Sequence, residues 1–151
     1  MNAAHLHLAI NHFPVIGLLF GIGVLLMGRF VHSDVTVRVG LWLLVVSGLF
    51  AIPAYLTGEP AEAVVENYPG IAISRIGKHE DAAAISLGLA LLTGSFAGGV
   101  LLLARGGKKL PPFAIATVAV VAVIAAGSMV WTAKMGGEIH HPEIRNAPSR
   151  P

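Results

Sequence analysis

Charged residues occur in short clusters along this chain and leave four long stretches without Asp, Glu, Lys or Arg: 1–28, 39–58, 82–104 and 110–133. Each reaches the roughly 20 residues that a helix needs to cross about 30 Å of hydrocarbon. A helix is also the one open segment that satisfies its own backbone there. The pattern predicts an all-α integral membrane four-helix bundle, with helices at about 5–28, 37–56, 79–104 and 111–133. Residues 1–134 then form the membrane domain, and residues 135–151 form an extramembrane C-terminal tail.

Capping residues and prolines refine the helix ends. Asn2 suits the N-cap of the first helix, and Pro14 is expected to kink that helix by leaving one carbonyl without its N–H donor. Ser74 is a candidate N-cap for an early start of the third helix. Gly136 and Gly137 are expected to stop the fourth helix near Lys134.

The composition agrees with a membrane protein and excludes several functions. The chain is 55% hydrophobic and 12% charged, whereas soluble domains carry roughly 25% charged residues. It has no cysteine, which excludes disulfides, thiolate metal sites and covalently attached c-type haem. No Gly-rich nucleotide loop and no Ser-His-Asp set is evident, so neither a hydrolase nor a transferase is indicated. The small basic excess gives no reason to expect a nucleic-acid partner.

The basic residues predict the orientation. The two short loops between helices carry Arg29, Arg38, Arg105, Lys108 and Lys109, against the single acid Asp34. Short loops rich in Lys and Arg remain in the cytoplasm. We therefore expect an inner (cytoplasmic) membrane protein with both termini and the 57–78 loop facing outward.

Six of the seven histidines fall at this outward end: His5, His7, His12, His79, His140 and His141. Imidazole is uncommon in a bilayer, and it binds metals and haem iron well. His12 and His79 lie at equal depth on different predicted helices, as two axial ligands of a haem b must. The leading hypothesis is a b-type haem redox subunit that transfers electrons at the outer face. His7 or His141 would then serve a second haem or the propionates.

A stripe of small residues follows His79 along the third helix, and it permits two interpretations. The stripe consists of Ala82, Ala83, Ser86 and Ala90. Small residues allow tight helix packing in membranes. They would equally leave space for a flat macrocycle whose iron His79 ligates.

Carboxylates on the same side support a second hypothesis, a non-haem site for copper, zinc or iron. Its candidate ligands are His7, His12, His79, His141, Glu59, Glu62 and Glu80. A third hypothesis has no cofactor: the chain would be a structural subunit of a larger membrane complex. Besides the lipid bilayer, other subunits of a respiratory or redox complex are the expected partners.

Four motifs lie at this outward end. They are Asn11-His12-Phe13-Pro14, Thr57-Gly58-Glu59-Pro60-Ala61-Glu62, His79-Glu80-Asp81-Ala82-Ala83, and the segment from Gly136 to Arg145 that contains His141-Pro142-Glu143-Ile144. With them the chain resembles a family of small bacterial four-helix membrane proteins of unknown function. The resemblance covers nearly the whole chain and implies that the four motifs belong to one composite site. It also implies that His141 is a better ligand candidate than His140, because arginine is common at the latter position.

The orientation can be tested with reporters fused to the C-terminus. We expect a reporter that is active only outside the cytoplasm to be active there, because the Arg- and Lys-bearing loops stay inside. The same reporter inserted between Gly106 and Gly107 is the matched control and should be silent. A reporter that is active between Gly106 and Gly107 and silent at the C-terminus would instead place the histidine end in the cytoplasm.

Overall fold

The computed structural model describes residues 2–145, and every regular element in this range is helical. The helices are α1 (Ala3–Ile10), α2 (His12–Phe30), α3 (Asp34–Leu56), α4 (Gly58–Val65), α5 (Ile73–Leu103) and α6 (Pro112–His140), followed by a 3₁₀ turn at Pro142–Ile144. Four helical units are long and apolar enough to cross a membrane: α1 with α2, α3 with α4, α5, and α6. The predicted all-α four-helix membrane bundle is confirmed, and four crossings put both termini on one side.

The first membrane helix is divided at Asn11, three residues before Pro14. Proline cannot donate to the carbonyl four residues earlier, so the helix must break or bend there. At the other end of α1, Asn2 is the N-cap, and its Oδ1 accepts the backbone N–H of His5 at 3.0 Å. Both local predictions are confirmed.

Two helix bounds differ from those that the apolar pattern predicted. Helix α5 begins at Ile73, six residues before position 79, and α6 continues to His140 through both glycines that were expected to stop it. The tail that we predicted from residue 135 therefore starts after His140, and its residues 146–151 lie outside the described range. The early start that Ser74 indicated is one residue from the observed one, although Ser74 lies inside α5 and does not cap it. The bounds near residues 79 and 134 were wrong because hydropathy marks the apolar part of a helix, whereas α5 and α6 continue to pack on each other beyond it.

The four membrane helices pack in the ring order α2, α3, α5, α6, with α2 and α5 on the diagonal. Their inner faces repeat at alternating spacings of three and four residues, as in bundles of nearly parallel helices. On α2 the buried positions are Pro14, Leu18, Gly21, Leu25 and Gly28. The same stripe extends back into α1 through Asn11 and His7. The inner stripe of α5 includes Ile76, Ser86, Ala90 and Thr93. His79 continues the same spacing between Ile76 and Ser86.

Glycines allow the helices to approach closely, as in many membrane bundles. A Cβ atom on Gly21 would lie 2.7 Å from the Leu44 side chain, and one on Gly40 would lie 2.6 Å from the backbone nitrogen of Leu25. Farther along α3, a Cβ on Gly48 would lie 2.8 Å from the carbonyl oxygen of Ala90 on α5. These contacts fix the register of α2 and α5 against α3.

The close approach of α2 to α3 can be tested with Gly28→Ala. The new Cβ would lie 2.6 Å from the backbone nitrogen of Val37, and backbone cannot move aside cheaply. We expect a loss of about 1–3 kcal/mol in the free energy of unfolding, measured by detergent-induced denaturation. Gly23→Ala on the same helix meets nothing within 4 Å and should be neutral or slightly stabilising. Equal effects of the two variants would contradict this account.

Candidate metal centre

His7 on α1 and His79 on α5 are both partly buried and lie at the same end of the bundle. His7 continues the three- and four-residue spacing of the buried α2 positions back into α1, and His79 continues that of the buried α5 positions. His79 and His12 are both near enough to His7 to interact with it electrostatically. Such effects require short separations, so the fold brings these three histidines into one neighbourhood.

The His7 ring is half-buried and contacts the junction between α3 and α4. Its Nδ1 lies 3.0 Å from Thr57 Oγ1. The Thr57 hydroxyl itself donates to the carbonyl oxygens of Pro53 and Ala54, at 2.9 and 3.0 Å. Because that hydroxyl proton is already used, Thr57 Oγ1 accepts from His7, and His7 Nδ1 carries the proton.

The His79 ring lies between α5 and α6. Its Nδ1 is 3.0 Å from the carbonyl oxygen of Thr132, which can only accept, so Nδ1 is again protonated. The ring also explains why Gly136 is inside a helix: a Cβ there would approach His79 Cε1 to 3.0 Å. Gly136 makes room for the imidazole and does not end the helix.

His12 lies on a different face. It is exposed, and it lines an apolar groove of about 470 Å³ between α2 and α3, together with Phe13, Gly17 and Phe50. Its Nδ1 donates to the carbonyl oxygen of Leu8 at 3.0 Å. His12 faces this groove, whereas His79 faces α6. Shared ligation of one iron by these two histidines stays a prediction.

The other histidines at this end of the bundle are exposed. His5 Nδ1 lies 2.9 Å from Asn2 Oδ1, and His141 Nδ1 lies 2.7 Å from Glu143 Oε1. The backbone N–H of Glu143, followed by the His141 imidazole, holds the pKa of the Glu143 carboxyl below its ordinary value. His140 is the last residue of α6. His141 is therefore engaged with Glu143, and it is not among the side chains that act on His7.

The predicted carboxylate candidates lie on α4 and α5. The carboxyls of Glu62 on α4 and Glu80 on α5 lie near each other, with Glu59 of α4 and its C-cap residue Glu66 close by. Glu59 and Glu80 are exposed, and Glu62 is partly exposed. Two carboxyl groups this close repel each other unless they share a proton or a cation.

An ion-pair cluster that the sequence pattern did not reveal braces the end of α6. Glu138 is paired with Arg75 of α5 and with Lys134 one turn earlier. Arg145 donates to the carbonyl oxygens of Glu138 and Ile139, both at 2.6 Å. These carbonyls end a helix and need donors, so the cluster explains how α6 continues past Lys134. In the sequence, the i,i+4 spacing of Lys134 and Glu138 was the feature that could have indicated this ion-pair cluster.

Part of the small stripe after His79 is used for packing in this structure. Ser86 is hydrogen-bonded to Ser128 at 2.6 Å and to Thr132 at 2.9 Å, both on α6. At Ser86 the space is therefore filled by α6, which favours the packing interpretation there. Ala82, nearer to His79, lines a cavity of about 390 Å³ together with Ser128 and Trp131 of α6. For that end of the stripe both interpretations stay predictions.

No three His, Asp or Glu side chains converge in a geometry that would hold a metal ion within residues 2–145. No family model matches the chain, and no curated protein or solved structure shows significant similarity to it. The resemblance drawn from the four motifs thus stays a prediction. A centre built from these residues would need His7 and His79 together with a neutral ligand or a cofactor.

The ring tautomers can be tested directly by ¹⁵N NMR of histidine-labelled protein. We expect His79 to carry its proton on Nδ1 and to leave Nε2 unprotonated, because the acceptor at Nδ1 is a carbonyl. His79→Gln assigns the signal by removing it. His32, in the turn at the opposite end of the bundle, is the internal comparison. A protonated Nε2 on neutral His79 would contradict the hydrogen bond to Thr132.

Proposed function

We propose that this protein is a membrane redox subunit whose outer end binds a metal through Nε2 of His7 and His79. The observation that carries the proposal is the hydrogen bonding of the two rings. Nδ1 of each is a donor to a protein acceptor, so the lone pair of each neutral ring is on Nε2. Metal-binding histidines are commonly oriented by such a bond from the other ring nitrogen.

The position of the two helices supports the same proposal. Ligands on diagonal helices point toward the axis of a bundle, where cofactor sites of four-helix proteins are built. A centre here would exchange electrons at the side of the membrane that carries both termini, which we place outward from an inner membrane.

A single copper, zinc or iron ion agrees better with this geometry than haem b does. At Ser86 the α5 face expected to accommodate a macrocycle is occupied by α6. A single ion between the His7 and His79 imidazoles needs less space than a macrocycle does. Copper or iron would support electron transfer, whereas zinc would make the centre structural or catalytic.

Haem b is the second candidate, and the arrangement of His7 and His79 on diagonal helices favours it. Two neutral imidazoles from facing helices are its usual axial ligands. A macrocycle between them would require α1 and α5 to move apart at the outer end. The other subunits of a redox complex remain the partners that we propose for either centre.

The proposal is tested on protein purified in mild detergent, by metal analysis and an absorption spectrum. We expect about one metal per chain in the wild type, and a loss of at least about tenfold in His7→Ala and in His79→Ala. Alanine keeps both helices intact. A Soret band that both variants abolish would identify the centre as haem.

Two further variants sharpen this experiment. His32→Asn is the matched control: it removes a histidine at the opposite end, and asparagine tolerates the left-handed backbone there, φ 54°. It should retain the metal. His12→Ala should retain most of it too, and metal loss in His12→Ala but not in His7→Ala would favour the His12–His79 pair instead. A wild-type protein that binds neither metal nor haem would contradict the proposal and favour the hypothesis of a cofactor-free structural subunit.

A further inference from the structure

Asn11 contains a buried acceptor atom that the fold does not satisfy. Its Oδ1 is shielded from solvent and has no hydrogen-bond partner within the described residues. The residue lies between α1 and α2, and its backbone N–H donates to the carbonyl oxygen of His7 at 2.9 Å. Asn11 is thus one helical turn from His7 on the same inner stripe.

An unsatisfied buried acceptor is costly. Leaving such a group without a donor costs about 1–3 kcal/mol, and nearly all buried polar groups in proteins are paired. Two buried hydroxyls of this bundle follow that rule within their own helices. Ser47 donates to the Leu43 carbonyl at 2.7 Å, and Thr93 donates to the Leu89 carbonyl at 2.8 Å. Asn11 Oδ1 is an exception, and it belongs to a residue one helical turn from His7.

We infer that Asn11 Oδ1 is the third ligand of a metal ion held by His7 and His79. This inference rests on the proposed function and specifies its centre as a non-haem ion. Two imidazole nitrogens and one amide oxygen make a neutral ligand set that suits a divalent copper, zinc or iron ion. Three protein ligands leave a coordination position open, as catalytic zinc sites do. A neutral set also explains why no group of three ionisable side chains is needed here.

The experiment measures Zn²⁺ affinity and metal-free stability of the full chain in detergent, with a chromophoric competitor for the affinity. Asn11→Leu should weaken binding by at least about tenfold, because it removes a ligand. The same variant should keep or raise the unfolding midpoint without metal, because it removes an unsatisfied buried acceptor. Asn11→Asp should tighten binding, since a carboxylate is a stronger ligand than an amide. Asn67→Ala, in the exposed segment after α4, is the matched control and should change neither quantity.

Two results would overturn the inference while the proposed function stands. One is wild-type affinity in Asn11→Leu alongside metal loss in His7→Ala and His79→Ala. The other is a lower metal-free stability of Asn11→Leu, which would give Asn11 a structural role. If the wild type binds none of Zn²⁺, Cu²⁺ and Fe²⁺, the proposed ion centre and the inference fall together. A Soret band lost in both histidine variants would retain the redox function but exclude Asn11 as a ligand.

Discussion

Contact between glycine-bearing helix faces sets the geometry on which the rest of this bundle depends. Lipid tails are as apolar as leucine, so helices in a bilayer associate through close packing and hydrogen bonds, without the gain from removing apolar surface from water. Gly40 and Gly48 bring α3 to backbone distance from α2 and α5. Once those contacts fix the register, every later position on the same stripe is determined. The register turns His7 and His79 inward and His12 outward.

Hydropathy and helix periodicity predicted most of the fold, because a bilayer leaves the backbone few alternatives. The four crossings, the Asn2 cap and the break before Pro14 all follow from local chemistry. The wrong end of α6 has a tertiary cause. Gly136 and Gly137 are read as a stop from the sequence alone, whereas Gly136 is required by the imidazole of a residue more than fifty positions earlier. Tertiary contacts of this kind leave no mark in a local pattern.

The location of the candidate site could be predicted from the sequence, but which histidines belong to it was harder to predict. Charge and helix order gather the histidines at one end, but helical phase decides which of them face one another. His7 and His12 are five residues apart and therefore point in different directions, and the break at Asn11 separates them further. Sequence spacing favoured His12 because its depth matches that of His79. The inner stripe running from Pro14 through Asn11 to His7 was the signal that could have identified His7.

Unsatisfied acceptors at the end of the bundle that carries His7 and His79 give the physical reason for the proposed cation. On α6, Glu138 is matched by Arg75 and Lys134, and the hydroxyl protons of Ser47 and Thr93 are directed to carbonyl oxygens one turn earlier. At the histidine end the Asn11 Oδ1 atom has no donor, the proposed tautomers leave the Nε2 lone pairs of His7 and His79 free, and the Glu62 and Glu80 carboxyls lie near each other. Acceptors placed together repel one another in a low-dielectric setting. A bound metal ion would satisfy the first three at once, and protons or a second cation would suit the carboxyl pair beside them.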